Sequence, residues 1–178
     1  VKGFIQHIQA YPFSVTCFNQ AAVRLYHDVA KTGTILCDAT GAIISLPKEE
    51  GKYRTVYYYA IVVKHPTDKK PPIAVAEMIT VDHTVLSISF FIDLFRRAEG
   101  IIFGFPNVIT PHRIIIDRSI VLLLSFLRIY NMESLHDYLH RTYRVVTGTA
   151  TTKDYAKVSP HACTSHVMHS AKKDCKKC

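Results

Sequence analysis

The chain is marked out by changes in the period of its apolar positions. Residues 1–13 are weakly patterned and end at Tyr11-Pro12-Phe13. In "NQAAVRLYHDVAKTG" the apolar residues Ala22, Leu25, Tyr26 and Val29 recur at helical spacing. Asn19 can cap that helix and Gly33 can stop it. The pattern then tightens to strand-like runs of β-branched, aliphatic and aromatic residues: "TILCDATGAIISL", "YRTVYYYAIVVKH" and "IAVAEMITVDH". The polar turns "PKEEGK" and "PTDKKPP" between them are short, which predicts an antiparallel meander. A helix follows, "TVLSISFFIDLFRRAEG", with Thr84 as cap, Val85, Ile88, Ile92 and Phe95 on one face, and Gly100 as its end. After the irregular connection "IIFGFPNVITP" comes a fourth strand, "HRIIIDRS". It runs directly into the helix "IVLLLSFLRIYN" and a further helix "SLHDYLHRTYRVV". The polar stretch "TGTATTKD" leads to a short fifth strand, "AKVSP", and a last helix, "HACTSHVMHSAKKDCKK".

This order predicts an α/β fold: a mixed five-stranded sheet, three antiparallel strands then parallel ones, flanked by helices. Residues 1–34 form a helical lead-in and 35–178 the core. A strand returning after a crossover helix normally lies parallel to its neighbour. The fourth strand is therefore expected beside the first. Ligands of open α/β sheets sit outside the carboxyl ends of such strands.

Composition narrows the classes. With 178 residues, 48% of them apolar, the chain can bury a core and is not a disordered polymer. Its most apolar run, "IVLLLSFL", is eight residues long and lies between Arg118 and Arg128. That is far short of the roughly 18–20 residues of a membrane helix. No basic segment followed by an apolar one opens the chain, so a soluble, intracellular protein with no membrane partner is expected. Val1 in place of Met, and the ending "KKC", suggest a piece of a longer protein. Five cysteines, at 17, 37, 163, 175 and 178, do not resemble a secreted disulfide framework.

Charge adds a partner class. The net charge is +8, and six of those charges come from His140 onward, where eight Lys and Arg face two acids. A basic C-terminal third suggests a polyanion, nucleic acid first; a solvated basic tail is the plainer alternative.

Two aspartates stand out against this background. Asp38 interrupts the first strand and Asp117 ends the fourth, although strands and apolar cores both disfavour aspartate. On neighbouring strands their carboxylates would repel unless a cation bridged them. Mg2+ or Mn2+ suits carboxylate oxygen and leaves room for phosphate, and two such ions can drive phosphoryl transfer. Taken singly, each aspartate also has a structural reading: Asp117 as a helix cap, Asp38 as an acceptor before "ATG". Asp82 is better placed to cap the helix after it, Asp93 lies on that helix, and Glu77 sits in the third strand. His83 and His112 read as loop residues.

These motifs in this order ("DATG" after an N-terminal "PF" segment and helix, "YYYAIVV", a strand with "EM", "IIIDRS", and a helix with C-x-x-H) resemble the Mutator-like (MULE) transposases of animals. The resemblance runs collinearly along nearly the whole chain. It implies a ribonuclease-H-like fold and a DDE-type centre that cuts and joins DNA with two Mg2+ or Mn2+ ions, in the nucleus. Asp38 matches the first catalytic aspartate of that family, Asp117 the second, and Cys163 with His166 the C-x-x-H pair. Ile116 stands where the family usually has threonine. The third acid, a glutamate, lies beyond the C-x-x-H pair in the family and has no counterpart before Cys178, so the chain is expected to be incomplete for strand transfer. Two alternatives share the fold: a domesticated, non-catalytic DNA-binding module, and a nuclease that cuts RNA–DNA hybrids.

The tail holds further candidates. Cys175-x-x-Cys178 has zinc-knuckle spacing, and a tetrahedral zinc site from Cys163, His166, Cys175 and Cys178 is conceivable; exposed thiols are the plainer reading. Lys172, Lys173, Lys176 and Lys177 are candidate phosphate contacts, and Arg113 and Arg118, flanking Asp117 in sequence, could steer a DNA backbone. The oligomeric state is open, a homo-oligomer included.

Overall fold

The structure is a computed structural model that describes residues 1–31, 33–47, 53–67, 69–165 and 168. Seven strands form one mixed sheet: β1 (Ile5–Gln9), β2 (Ser14–Cys17), β3 (Thr34–Pro47), β4 (Tyr53–Val63), β5 (Ile73–Thr80), β6 (Arg113–Ile116) and β7 (Ser159–Ala162). Their order across the sheet is β1-β2-β5-β4-β3-β6-β7. The segment β5-β4-β3-β6-β7 is the expected arrangement. β3, β4 and β5 form an antiparallel meander, β6 returns parallel to β3, and β7 lies parallel to β6. The sheet is consistent with a ribonuclease-H-like α/β fold.

The strand count differs from the expected five. The weakly patterned lead-in carries two strands, β1 and β2, which extend the sheet beyond β5. β1 is an edge strand whose Ile5 and Ile8 stay exposed, so it shows no buried stripe that alternation could reveal. The short last strand also falls later than "AKVSP", at Ser159–Ala162, and takes His161 out of the expected final helix. Pro160 is tolerated there because this strand lies on the sheet's outer edge.

The helices follow their capping signals. Asn19 Oδ1 accepts from Ala22 N and opens α1 (Gln20–Ala30). Thr84 caps α2 (Val85–Phe103), and Asp82 supports that turn by accepting from the hydroxyls of Thr84 and Ser87. α2 does not stop at Gly100. It runs on to Phe103 and ends at Gly104, whose φ of 85° is the left-handed conformation glycine supplies without strain. Gly100 is retained inside the helix where the Phe105 ring folds back on it: an added Cβ would lie 2.6 Å from that ring.

Ser119, not Asp117, caps α3 (Ile120–Phe126). A π-helical turn, Leu127–Asn131, follows. It is pinned by Arg96, which donates to the Ile129 carbonyl at 2.7 Å and lies 4.4 Å from the Tyr130 ring centre. α4 (Leu135–Val146) is capped by Ser134, and the polar stretch after it contains a short helix, α5 (Thr152–Tyr155).

α1, α2 and α3 pack with the sheet around one core, in which Tyr26, Phe91, Phe95, Ile35, Tyr59, Ile61, Ile114 and Phe126 are fully buried. Burying such side chains contributes about 1.5–3 kcal/mol each. The lower end of the molecule is tied by a buried ion pair. Arg141 grips both carboxylate oxygens of Glu133 at 2.9–3.2 Å and also donates to the Val158 carbonyl, joining α4 to the approach to β7.

Candidate active site at the carboxyl edge

The register of the parallel strands decides the geometry. Cys37 on β3 is the partner of Ile116 on β6, and Ile116 is the partner of Ala162 on β7. The next residues are Asp38, Asp117 and Cys163. β6 and β7 end here, whereas β3 runs on to Pro47, so Asp38 stands where β3 loses its parallel neighbour. Cys163 donates its N–H to the Ile116 carbonyl at 2.7 Å, which carries the ladder one bond past β7. Three residues of the proposed motifs thus occupy adjacent positions at the ends of three neighbouring strand pairings.

Each aspartate is held locally. Asp38 is exposed, and its Oδ1 accepts from Ala39 N at 2.9 Å. Asp117 is half-buried, and its Oδ1 accepts from Ser119 N at 2.8 Å, which bends the chain out of β6 and into α3. The Cys37 thiol lies among buried core residues, and burial drives its pKa far up; the Asp117 and Asp38 carboxylates push it further in the same direction. Both negative charges therefore act on one buried point beneath the strand ends.

Asp117 and Arg118 line two clefts. One, of about 220 Å3, opens toward Tyr138, Pro160 and His161. Burial, then Arg113 and His112, lowers the pKa of His161. The other, of about 530 Å3, has Ala39, Gly41, Tyr57 and His83 on its far wall. His83 is a member of this site that the sequence left in a loop. Its Nδ1 bonds the Tyr59 hydroxyl, and its ring stacks on Tyr57 with centres 4.9 Å apart. Burial first, with Tyr57 and Asp117 behind it, raises the Tyr59 pKa. The sole signal in the sequence was the position of His83 between a strand end and a helix cap, at the sheet edge where the aspartates also end.

The other candidates separate. Arg118 is exposed beside Asp117, but Arg113 opens β6 at its far end, about 13 Å away along the strand. Glu77 is on β5, where its Oε1 accepts from the Tyr58 hydroxyl. Asp93 pairs with Arg97 on the surface of α2 at 2.6 Å. Cys163 is described; His166, Cys175, Cys178, Lys172, Lys173, Lys176 and Lys177 lie outside the described residues, as does most of the expected final helix. Among the described residues no three His, Cys, Asp or Glu side chains come together to hold a metal. No described helix is long and apolar enough to cross a membrane.

Comparison with protein families, curated proteins and solved structures finds no match to this chain. Two carboxylates on adjacent strands remain a donor set suited to a hard divalent cation such as Mg2+ or Mn2+. Asp38 and Asp117 are the residues that would hold it, and the ion would supply charge neutralisation for phosphate oxygens.

Proposed function

We propose that this chain is the catalytic-core part of a DDE-type DNA transposase, acting on DNA phosphodiesters through two Mg2+ or Mn2+ ions, with the third acid supplied from outside the described residues. The observation that carries this reading is the register of Cys37 with Ile116, which sets Asp38 and Asp117 side by side at the carboxyl edge of the central parallel strands. In such a site the two carboxylates orient the metal ions. Arg118, exposed beside Asp117, would contact the DNA backbone as a positioning charge. The basic balance of the chain, +8 overall, supports a polyanionic partner.

The local hydrogen bonds of both aspartates favour one second reading, a domesticated DNA-binding module. Such bonds give these residues a structural use without any metal. Fluorescence anisotropy with a short DNA duplex tests the shared part of both readings. Affinity is expected to fall steeply from about 50 to about 200 mM salt and to weaken in Arg118→Gln. Absence of salt-dependent binding would overturn both. In Asp117→Asn, binding is expected to survive under either reading, while loss of Mn2+ affinity belongs to the transposase reading alone.

A further inference from the structure

The outward face of α4 is built unlike the rest of the surface. The inner side of this helix is polar, with Arg141 buried against Glu133. On a helical wheel His136, Leu139, His140, Tyr143 and Val146 fall within about 120° of one another on the other side. Leu139, Tyr143 and Val146 are 57%, 68% and 80% exposed. No Lys, Arg, Asp or Glu lies on that arc, although the chain as a whole is strongly basic. Arg144 and Asp137 flank the arc on the His140 side: Arg144 is paired with Asp154, and Asp137 accepts from the Ser134 hydroxyl at 2.6 Å.

Two imidazoles meet at the centre of this face. Nε2 of His140 lies 3.1 Å from Nε2 of His136, with ring centres 4.4 Å apart. Two histidines that share one tetrahedral zinc ion, each at about 2.0–2.1 Å, hold their nitrogens about 3.3 Å apart. The two nitrogens share a hydrogen bond in the metal-free chain, and moving that proton to Nδ1 would leave both lone pairs for one ion at nearly this spacing. The pair is also half a site: zinc takes four ligands in a closed site, and one chain offers two on this face. A two-fold axis through the metal would bring the same two histidines from a second copy. It would also bring Leu139 and Tyr143, which neighbour the histidines, into the contact between the two copies. The uncharged arc removes the repulsion that two basic chains would otherwise meet.

We propose that α4 is a metal-dependent dimerisation face, in which His136 and His140 of two copies complete one tetrahedral Zn2+ site and the apolar stripe beside them is buried. This site is separate from the aspartates and does not depend on the reading given to them.

Sedimentation velocity on the 178-residue chain tests it, in EDTA and with half an equivalent of ZnCl2. The wild type is expected to be monomeric in EDTA and dimeric with zinc. His136→Ala and His140→Ala are expected to stay monomeric with zinc, with circular dichroism spectra unchanged because both side chains are on the surface. Leu139→Arg is expected to weaken the zinc-dependent dimer on the order of tenfold or more, by placing like charges across the axis. A wild type that stays monomeric with zinc would overturn the proposal. So would a zinc-dependent dimer that persists in both histidine variants, since the metal would then be held elsewhere.

Discussion

The backbone N–H of Cys163 donates to the carbonyl of Ile116 at 2.7 Å, one residue past the end of β7. This single bond places the first residue of the C-x-x-H motif beside Asp117, and so aligns it with Asp38 two strands away. The side chain is not what makes the contact. Cys163→Ser is therefore expected to keep the stability of the wild type within a few tenths of a kcal/mol. Cys163→Pro removes the donor and is expected to cost about 1 kcal/mol or more. Urea unfolding of the two variants checks this; equal stabilities would show that the bond does not hold the strand end.

The Arg141–Glu133 pair makes a larger prediction. Both side chains are almost fully buried, 5% and 1% exposed, and Lys157 adds a second cation to Glu133 at 3.2 Å. Removing the arginine leaves a buried carboxylate with Lys157 and the Asn131 amide as partners. Arg141→Met is expected to destabilise the fold by about 3 kcal/mol, with α4 and the β7 end loosened first. Hydrogen exchange on Tyr138 and Val158 against the core strands would locate the loss.

Two buried glutamates give the molecule opposite responses to acid. Burial raises the pKa of Glu133, but hydrogen bonds from Arg141 and Lys157 outweigh it and the net shift is downward. Its contribution to stability is present above the ordinary carboxyl range and is lost as pH falls through its folded value. Glu99 shifts the other way. Burial dominates, and the hydrogen bonds from His27 Nδ1, at 2.7 Å, and Ile109 N offset only part of it. Its folded pKa is raised, so stability falls as pH rises from the ordinary range through that value. Urea unfolding between about pH 3 and about pH 7 separates them. Glu133→Gln is expected to lose part of the acid-side slope, and Glu99→Gln to lose the opposing one. Unchanged slopes in both would contradict the assignment.

The parts of the fold legible in the sequence were those governed by local rules. Asn19 and Thr84, the two caps read from the sequence, both accept from a backbone N–H at the start of their helices. The short turns of the meander and the crossover through α2 were enough to bring β6 beside β3. What was not legible depended on distant contacts. β2 gains its place by pairing on β5, and β1 by pairing on β2, rather than from a buried stripe of their own. Gly100 looked like a helix stop, but Phe105 packs on it and the left-handed turn comes four residues later, at Gly104. In the site, the placement of Asp38 beside Asp117 followed from strand order alone. His83 did not, because its role comes from a bond to Tyr59, 24 residues back, that no spacing rule anticipates.

Asp38 and Asp117 are proposed to act together on one metal site. The direct measurement is Mn2+ binding followed by electron paramagnetic resonance, titrating free Mn2+ with the wild-type chain, Asp38→Asn, Asp117→Asn and the double variant. The wild type is expected to bind, each single variant to lose on the order of tenfold or more in affinity, and the double variant to lose little beyond either single one, as two ligands of one ion should. Equal Mn2+ affinity in the wild type and both single variants would contradict the account.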